Sequence, residues 1–308
     1  MAIRSYKMVD KKTYKKKLKV IVFGGSGFIG SHVAESLYKN GFQVTIADLK
    51  KSKDLNKKIS FQRVDINNQK KVLKLVKNFS IVFNFAAIAD IQDSYDDPLK
   101  TLNVNILGCA NILKACVKNK VKKFVLASSI YANTSQGGFY RVSKQSCEIM
   151  TMEFSKVYKL DYTILRFGSI YGPRSNLKNG LLKIVFDSLN KKKLIYRGTK
   201  RAVRSYIHVK DAAKSSVEIL NKKYTNKIVL IKGKKKIKIV NLLLMLKRIL
   251  KIKSKLFFLN KTQKGHYDKK PKEIKKINSI EYYSRKQMDF ESSLHELISI
   301  VKNKKFTS

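Results

Sequence analysis

The sequence contains no tryptophan, only three prolines among its 308 residues, and 21 acidic residues against 67 lysines and arginines. So few prolines exclude long proline-rich linkers. Hydrophobic residues make up 44% of the chain, which is typical of a globular protein and not of a disordered one. The length allows one large α/β domain with a sizeable core and a smaller appended domain.

Cysteine and histidine are also scarce. The three cysteines, Cys109, Cys116 and Cys147, have no metal-type spacing, and the four histidines form no cluster with them. An odd number of widely spaced cysteines is typical of small buried side chains in a reducing compartment. We therefore expect neither a disulfide framework nor a metal site.

The formal net charge is +46, and most of the excess is lysine spread along the whole chain. Arginine, which forms the better bidentate contacts with phosphates and bases, is scarce. The charge is compatible with a polyanion-binding surface or with a lysine-rich surface that has no specific partner. We favour the second interpretation and expect no specific nucleic-acid partner, although the positive field would help an anionic substrate to approach.

No segment has the character of a secretion signal or a membrane span. Residues 1–17 are basic and lack an apolar stretch, and the apolar stretch 239–250 is too short and too interrupted to cross a bilayer. We expect a cytoplasmic protein without membrane contact, in which residues 1–17 form a disordered basic tail.

Between residues 18 and 170, strand-like segments alternate with segments of helical periodicity. Strands are predicted at 18–23, 43–47, 61–64, 81–85, 123–127 and 162–167, and helices at 28–39, 70–77, 105–118 and 139–158. This alternation predicts an α/β fold with a Rossmann-type, doubly wound parallel sheet. Residues 171–308 alternate less regularly, and we expect them to form mainly a smaller C-terminal substrate-binding domain, with some segments returning to the sheet.

A glycine-rich loop joins the first predicted strand to the first predicted helix. Gly24 suits a tight turn, Gly27 lets the backbone approach a pyrophosphate, and Gly30 lets the helix pack close to the sheet. The start of the helix adds free N–H groups and a positive dipole end. The loop therefore predicts a dinucleotide-binding site.

Two aspartates are candidates for the adenosine part of that site. Asp48 ends the second predicted strand, where a carboxylate accepts both ribose hydroxyls and favours NAD over NADP. Lys50 and Lys51 follow it and are compatible with a 2′-phosphate instead. Asp65 follows the third predicted strand and suits either a place beside the adenine or a cap for the next helix.

Tyr140 and Lys144 form a Tyr-x-x-x-Lys pair on the predicted helix 139–158. Residues i and i+4 lie on the same face of a helix, and a lysine ammonium beside a phenol favours the phenolate. Such a tyrosine suits general acid and base catalysis near neutral pH. The lysine can also hold the nicotinamide ribose.

The sequence as a whole resembles the extended short-chain dehydrogenase/reductases, specifically the NAD-dependent sugar epimerase/dehydratase family. Beside the glycine loop and the Tyr–Lys pair, the resemblance rests on five further segments in order: Asn84-Phe85-Ala86-Ala87, Asn105-Ile106-Leu107-Gly108, Ser128-Ser129, residues 166–173 and residues 204–211. It runs from about residue 18 to the end of the chain.

The resemblance implies a role for each matching position. It makes Tyr140, Lys144 and Ser129 catalytic and makes Ser129, Ser169 and Arg204 substrate-binding, with Arg204 on the substrate diphosphate. The implied cofactor-binding residues are Gly24, Gly27, Phe28, Ile29, Gly30, Asp48, Asp65, Ile66, Ala86, Asn105, Tyr140 and Lys144. Family members commonly dimerise through two helices, which correspond here to 105–118 and 139–158.

Three departures from the family pattern are visible. Ser129 is followed at once by Ile130-Tyr131, and the loop up to Tyr140 is short, so Ser128 is the alternative catalytic hydroxyl. Ser169 stands where the family often has asparagine. No acidic pair follows Ser129, so the acid and base of the dehydratase subgroup are missing.

The resemblance therefore predicts an NAD-dependent nucleotide-sugar epimerase, in particular a 4-epimerase acting on a UDP-sugar through a 4-keto intermediate, with a role in polysaccharide biosynthesis. A nucleotide-sugar ketoreductase or dehydrogenase is the nearest alternative, and an epimerase or decarboxylase acting at another sugar carbon is a further one. The alternative from another class is a non-catalytic protein that binds dinucleotides or RNA.

Overall fold

The computed structural model describes residues 18–261, 264–267, 279–284 and 286–303. The predicted basic tail, 1–17, lies outside the described residues. None of the helices in these ranges is both long and apolar enough to cross a membrane.

One large sheet dominates the structure. Its eight strands are all parallel and follow the order β14-β11-β6-β5-β4-β1-β2-β3. Their bounds are β1 (Lys19–Phe23), β2 (Gln43–Asp48), β3 (Ser60–Arg63), β4 (Ile81–Asn84), β5 (Lys123–Ser129), β6 (Tyr162–Phe167), β11 (Lys227–Ile231) and β14 (Ser279–Tyr282). This confirms the predicted Rossmann-type sheet, and β11 and β14 are segments that return to it from the C-terminal part.

Helices cover both faces of the sheet, as buried apolar strands on two sides require. One face packs against α1 (Phe28–Lys39) and α8 (Val209–Glu218). The other packs against α2 (Gln69–Val76), α5 (Gly108–Lys118) and α6 (Gly138–Tyr158). The sequence placed α1, α2 and α6 within one residue of these bounds; it did not predict α8, and it began α5 at 105, where 103–107 form a π-helical turn instead.

Short elements fill the connection between β4 and α5. They are α3 (Ile91–Asp96), which is preceded by its N-cap residue Asp90, and α4 (Pro98–Leu102), whose first residue is a proline. Proline suits the first helical position because the N–H it lacks has no partner there. These two helices lie against α6 and so border the end of that helix which carries Tyr140.

A third apolar cluster lies apart from the sheet and belongs to the smaller C-terminal unit. It contains buried side chains of α7 (Gly180–Lys191), α9 (Ile239–Ile249) and α10 (Phe290–Asn303). The strands of this unit are short: β7 (Ser169–Tyr171), β8 (Leu194–Tyr196), β9 (Val203–Arg204), β10 (Tyr206–His208), β12 (Ile237–Lys238) and β13 (Leu256–Phe258). They pair two by two, as β7 with β10, β8 with β13 and β9 with β12.

Candidate active site

The glycine loop lies at the carboxyl end of β1. Gly24 has φ +70°, and a Cβ there would lie 2.4 Å from the backbone nitrogen of Ala86. A Cβ on Gly30 would lie 2.3 Å from the carbonyl oxygen of Gly24. These positions therefore need glycine for close backbone packing, as the sequence predicted, whereas the nearest atom to a Cβ on Gly27 is 3.2 Å away.

The loop has hydrogen-bonding groups that a dinucleotide needs. Helix α1 begins at Phe28 with no side chain capping its first turn, so the N–H groups of that turn, including those of Ile29 and Gly30, are available to an anion. The hydroxyl oxygen of Ser26 is buried without a hydrogen-bond partner among the described residues. The residues present therefore fit a pyrophosphate at this turn.

Asp48 ends β2 next to the loop. Its carboxylate accepts hydrogen bonds from the backbone N–H of Ser26 at 2.9 Å and of Leu49 at 2.7 Å. Burial raises the pKa of Asp48, and the two backbone hydrogen bonds oppose that rise. The aspartate is thus held at the rim of the loop, where a ribose would lie.

The other predicted adenine-side residues are brought to the same edge of the sheet. Asp65 is exposed and accepts a hydrogen bond from the N–H of Asn67, while Asn68 caps α2, so Asp65 is not the helix cap. Ile66 is buried, and a Cβ on Gly108 would lie 2.4 Å from its side chain. Ile66 thus packs between β3 and the start of α5.

Asn105 lies in the π-helical turn and does not cap a helix. Its side chain accepts a hydrogen bond from the N–H of Ile88 and donates to the carbonyl of the same residue and to the Ser143 hydroxyl. These contacts tie the loop after β4 to the middle of α6. Asn105 is therefore a buried cross-link beneath the helix that carries Tyr140 and Lys144.

Tyr140 and Lys144 lie one turn apart on α6. The ammonium of Lys144 is 5.8 Å from the centre of the Tyr140 ring and donates a hydrogen bond to the carbonyl of Ala127 at 2.9 Å. Lys144 is buried, and Tyr140 is half-buried. The lysine is thus held between the phenol and the carboxyl end of β5.

The structure separates the two candidate serines at the end of β5. Ser128 donates to the carboxylate of Glu148, which also forms a buried ion pair with Arg166. Ser129 lines a cavity that lies beside Tyr131, and its side-chain oxygen accepts a hydrogen bond from the N–H of Tyr131 at 3.3 Å. Ser129 is therefore the serine of the two that faces the cavity.

A cavity of about 580 Å³ extends from Ser129 into the C-terminal unit. Ser169 and Arg204, the two residues outside β5 that the resemblance marks for substrate binding, both line it. The Arg204 guanidinium donates to the carbonyl of Tyr267 at 2.6 Å and lies 4.5 Å from the centre of that ring. Drug-sized ligands bind in cavities of this volume.

Sequence reasoning missed part of the cavity wall. His266 and Tyr267 line the cavity together with Tyr131, although they lie 135 residues or more from it in sequence. No motif marks these positions, because their role depends on a long-range contact. Tyr131 was identified only as part of an unusual strand end.

Tyr140 contacts the cavity wall through an aromatic neighbour. The centres of the Tyr131 and Tyr140 rings are 6.5 Å apart, and the rings meet edge to face at 71°.

In the described ranges, no group of three or more His, Cys, Asp or Glu side chains is placed to hold a metal ion. All three cysteines are free and buried.

Comparisons with known proteins agree with this geometry. The model of the NAD dependent epimerase/dehydratase family matches residues 20–231, a range that includes the glycine loop and the Tyr140–Lys144 pair. A UDP-glucuronate 4-epimerase of Thermodesulfobacterium geofontis is 27% identical over 272 residues, covering 78% of this chain and 83% of that protein.

Solved structures show the same fold. A UDP-glucose 4-epimerase with UDP-glucose from Thermotoga maritima has a TM-score of 0.80 at 24% identity, covering 92% of this chain and 99% of that one. A UDP-N-acetylglucosamine 4-epimerase of Methanobrevibacter ruminantium, in complex with UDP-N-acetylmuramic acid, has a TM-score of 0.78 at 25% identity, covering 92% and 97%. The three proteins act on different sugars.

Proposed function

Because the chain belongs to the NAD dependent epimerase/dehydratase family, we propose that it is a nucleotide-sugar 4-epimerase acting on a UDP-sugar. The observation that carries the proposal is the arrangement on α6. Tyr140 and Lys144 lie one turn apart there, with Lys144 bound to the end of the strand that presents Ser129 to the cavity. Relatives that act on UDP-glucuronate and UDP-N-acetylglucosamine support the choice of a 4-epimerase.

The enzyme is NAD-dependent, as its family is. The glycine loop and the first turn of α1 would hold the pyrophosphate, and Asp48 the adenosine ribose. Lys144 would hold the nicotinamide ribose, with Asp65, Ile66, Ala86 and Asn105 around the remainder. When bound, NAD accepts a hydride from the sugar and returns it, so that no second substrate is consumed.

The residues of α6 and β5 move and hold the proton. Tyr140 removes the proton of the sugar C4 hydroxyl, and the Lys144 ammonium lies one helical turn away, 5.8 Å from the centre of its ring. The Ser129 hydroxyl hydrogen-bonds to the same sugar oxygen and keeps it within reach. After the 4-keto sugar turns over about its diphosphate link, Tyr140 returns the proton to the C4 oxygen.

The C-terminal unit binds the nucleotide end of the substrate. We propose that Arg204 contacts the diphosphate and that Ser169 lines the adjoining part of the cavity. This arrangement leaves the sugar attached at one end only, which the turnover of the 4-keto sugar requires. The high positive charge of the chain supports capture of such an anionic substrate.

Proton NMR of the purified protein tests the proposal. UDP-glucose, UDP-N-acetylglucosamine and UDP-glucuronate are each incubated with sub-stoichiometric NAD. A new anomeric signal that grows to an equilibrium mixture without net NADH is the expected result. Net consumption of NADH with a 4-keto substrate identifies a ketoreductase, and loss of a carboxyl group identifies a decarboxylase. Absence of turnover with all nucleotide sugars, in protein that fails to bind NAD, contradicts the proposal.

We also propose that the protein is a homodimer in the cytoplasm. Large apolar side chains stay exposed near α5 and on α6, namely Leu99, Leu107 and Ile149, which are 79%, 58% and 57% exposed. Helices that expose such residues commonly pack against a second copy. The three free cysteines are compatible with a reducing compartment. A role in supplying sugars for polysaccharide biosynthesis follows from the proposed substrate class.

A further inference from the structure

The segment Lys264–Tyr267 forms part of the wall over the cavity. The ammonium of Lys264 lies 4.6 Å from the centre of the Tyr95 ring, and Gly265 packs against Ile91 and Tyr95 of α3. Gly265 has φ +80°, and a Cβ there would lie 2.8 Å from the Ile91 side chain. The segment is therefore seated closely on α3, and this seating brings His266 to the cavity.

His266 is held by Tyr131. The Tyr131 hydroxyl and Nδ1 of His266 are 3.3 Å apart, and the two rings are perpendicular with centres 6.3 Å apart. Burial raises the pKa of Tyr131. The pKa of His266 is lowered, mainly by burial and to a smaller extent by the nearby positive charge of Arg204. We assign the Tyr131 hydroxyl as the donor and Nδ1 of the neutral His266 ring as the acceptor; in this tautomer the imidazole proton lies on Nε2.

A continuous set of contacts runs along this wall. Tyr140 meets the Tyr131 ring, Tyr131 meets His266 and Tyr267, and Tyr267 meets Arg204. In the proposed function, Tyr140 acts at sugar C4 and Arg204 binds the diphosphate attached to C1. A hexose that joins these two points would lie along the wall that includes His266.

We infer that His266 is a specificity-determining residue whose Nε2–H group donates a hydrogen bond to the oxygen of a substituent on the sugar ring. The inference rests on the proposed function for the identity of the ligand. It adds a contact from the C-terminal segment to the sugar itself, separate from the contacts to the diphosphate. Such a donor selects sugars that present an oxygen at that position, since a sugar without it would cover the half-buried donor and leave it unpaired.

Two substitutions separate the two nitrogens of the ring. The amide of asparagine reaches the position of Nδ1 and can keep the contact with Tyr131, but it supplies no donor at Nε2. The amide of glutamine reaches the position of Nε2. His266→Asn should therefore lose the sugar contact, and His266→Gln should retain much of it.

Calorimetric binding of UDP-glucose and of UDP, each to the NAD-loaded protein, measures the sugar contact without requiring turnover. For His266→Asn we expect the Kd of UDP-glucose to rise about three- to tenfold, the loss of one neutral hydrogen bond, while the Kd of UDP changes less than about twofold. For His266→Gln we expect both values within about twofold of the wild-type protein. His295→Asn, on the exposed face of α10, is the matched control and should change neither value.

Equal weakening of UDP and UDP-glucose binding by His266→Asn would overturn the inference, because the residue would then act on the diphosphate or on the fold. Unchanged binding of both ligands would overturn it as well. Normal binding in His266→Asn with weak binding in His266→Gln would show that the residue serves only to hold Tyr131. Failure of the proposed function is a separate result, since absence of epimerisation is measured by NMR and not by these Kd values.

Discussion

The Ser128 hydroxyl and a carboxylate oxygen of Glu148 are 2.5 Å apart, and the same carboxylate receives two hydrogen bonds from Arg166. All three side chains are buried. Because successive residues of a strand point to opposite faces, this contact directs the next residue, Ser129, to the cavity. The ion pair beneath α6 thus decides which of two adjacent serines faces the cavity.

Exchange of each serine for alanine tests this assignment. Ser129→Ala should lower kcat about 10- to 100-fold, since one hydrogen bond to the reacting oxygen is lost. Ser128→Ala should keep kcat within about threefold and lower the free energy of unfolding by about 1.5–3 kcal/mol, because the lost hydrogen bond goes to a charged carboxylate. Steady-state kinetics and urea unfolding give the two quantities. The opposite pattern in kcat would assign the catalytic hydroxyl to Ser128.

Tyr140→Phe removes the proposed acid and base while leaving the ring in place against Tyr131. We expect kcat to fall about 10²- to 10⁴-fold, the usual contribution of general acid–base catalysis, with the Kd of NAD changed less than about threefold. Tyr158→Phe, at the exposed end of the same helix, is the control and should retain activity. A Tyr140→Phe variant with full activity would exclude Tyr140 from the chemistry.

Asp48→Asn tests the preference for NAD. Loss of the charged acceptor at the adenosine ribose should raise the Kd of NAD about 10- to 100-fold, because hydrogen bonds to charged groups contribute about 1.5–3 kcal/mol. NADP binding should change less, since its 2′-phosphate no longer faces a carboxylate. Fluorescence titration of NADH and NADPH measures both, with the exposed Asp54→Asn as control. An unchanged ratio of the two Kd values would remove Asp48 from the ribose site.

The pH dependence of stability should carry a contribution from His208. Burial lowers the pKa of His208 from 6.5 to about 4, although Glu296 opposes the shift and Lys210 and His32 add to it. In the unfolded chain His208 therefore becomes protonated below about pH 6.5, whereas in the folded protein it stays neutral down to about pH 4. The contribution of His208 to the free energy of unfolding is therefore fully present above pH 6.5, and it falls by at most about 3 kcal/mol as the pH drops to 4.

His208→Asn isolates that contribution. Nδ1 of His208 accepts a hydrogen bond from the N–H of Lys210 and caps α8, and asparagine can provide the same cap. Urea unfolding at pH 7, 5.5 and 4.5 should show a smaller loss of stability in acid for His208→Asn than for the wild-type protein. Parallel curves for the two proteins would contradict the prediction.

The proposed dimer predicts a change of mass on substitution of Leu107. Leu107→Glu places a charge on the exposed apolar face near α5 and should convert the dimer to a monomer in light scattering after gel filtration. Leu244→Glu is the matched control, because Leu244 is 50% exposed on α9, away from that face. Equal masses for wild-type protein and Leu107→Glu would exclude this interface.

Local sequence patterns predicted six of the eight strands of the large sheet. The bounds of β1 to β6 and of α1, α2 and α6 follow within two residues from apolar periodicity, whereas α3 and α4 were not predicted. Gly24 and Gly30 follow from a turn in which any Cβ meets backbone. Helix α6 likewise brings Tyr140 and Lys144 together through the spacing of a single helix. The π-helical turn at 103–107 did not follow, because it depends on the packing of Asn105 against Ile88 and Ser143.

The sequence by itself determined the dinucleotide loop, the Tyr–Lys pair and the positions of the first six strands along the chain, since each depends on residues close in the chain. Only the tertiary structure distinguished Ser129 from Ser128, because the choice is made by Glu148 and Arg166 on other elements. It alone also brought His266 beside Tyr131. No local pattern records a contact between residues 135 positions apart, since its energy arises from the way the two parts of the chain pack.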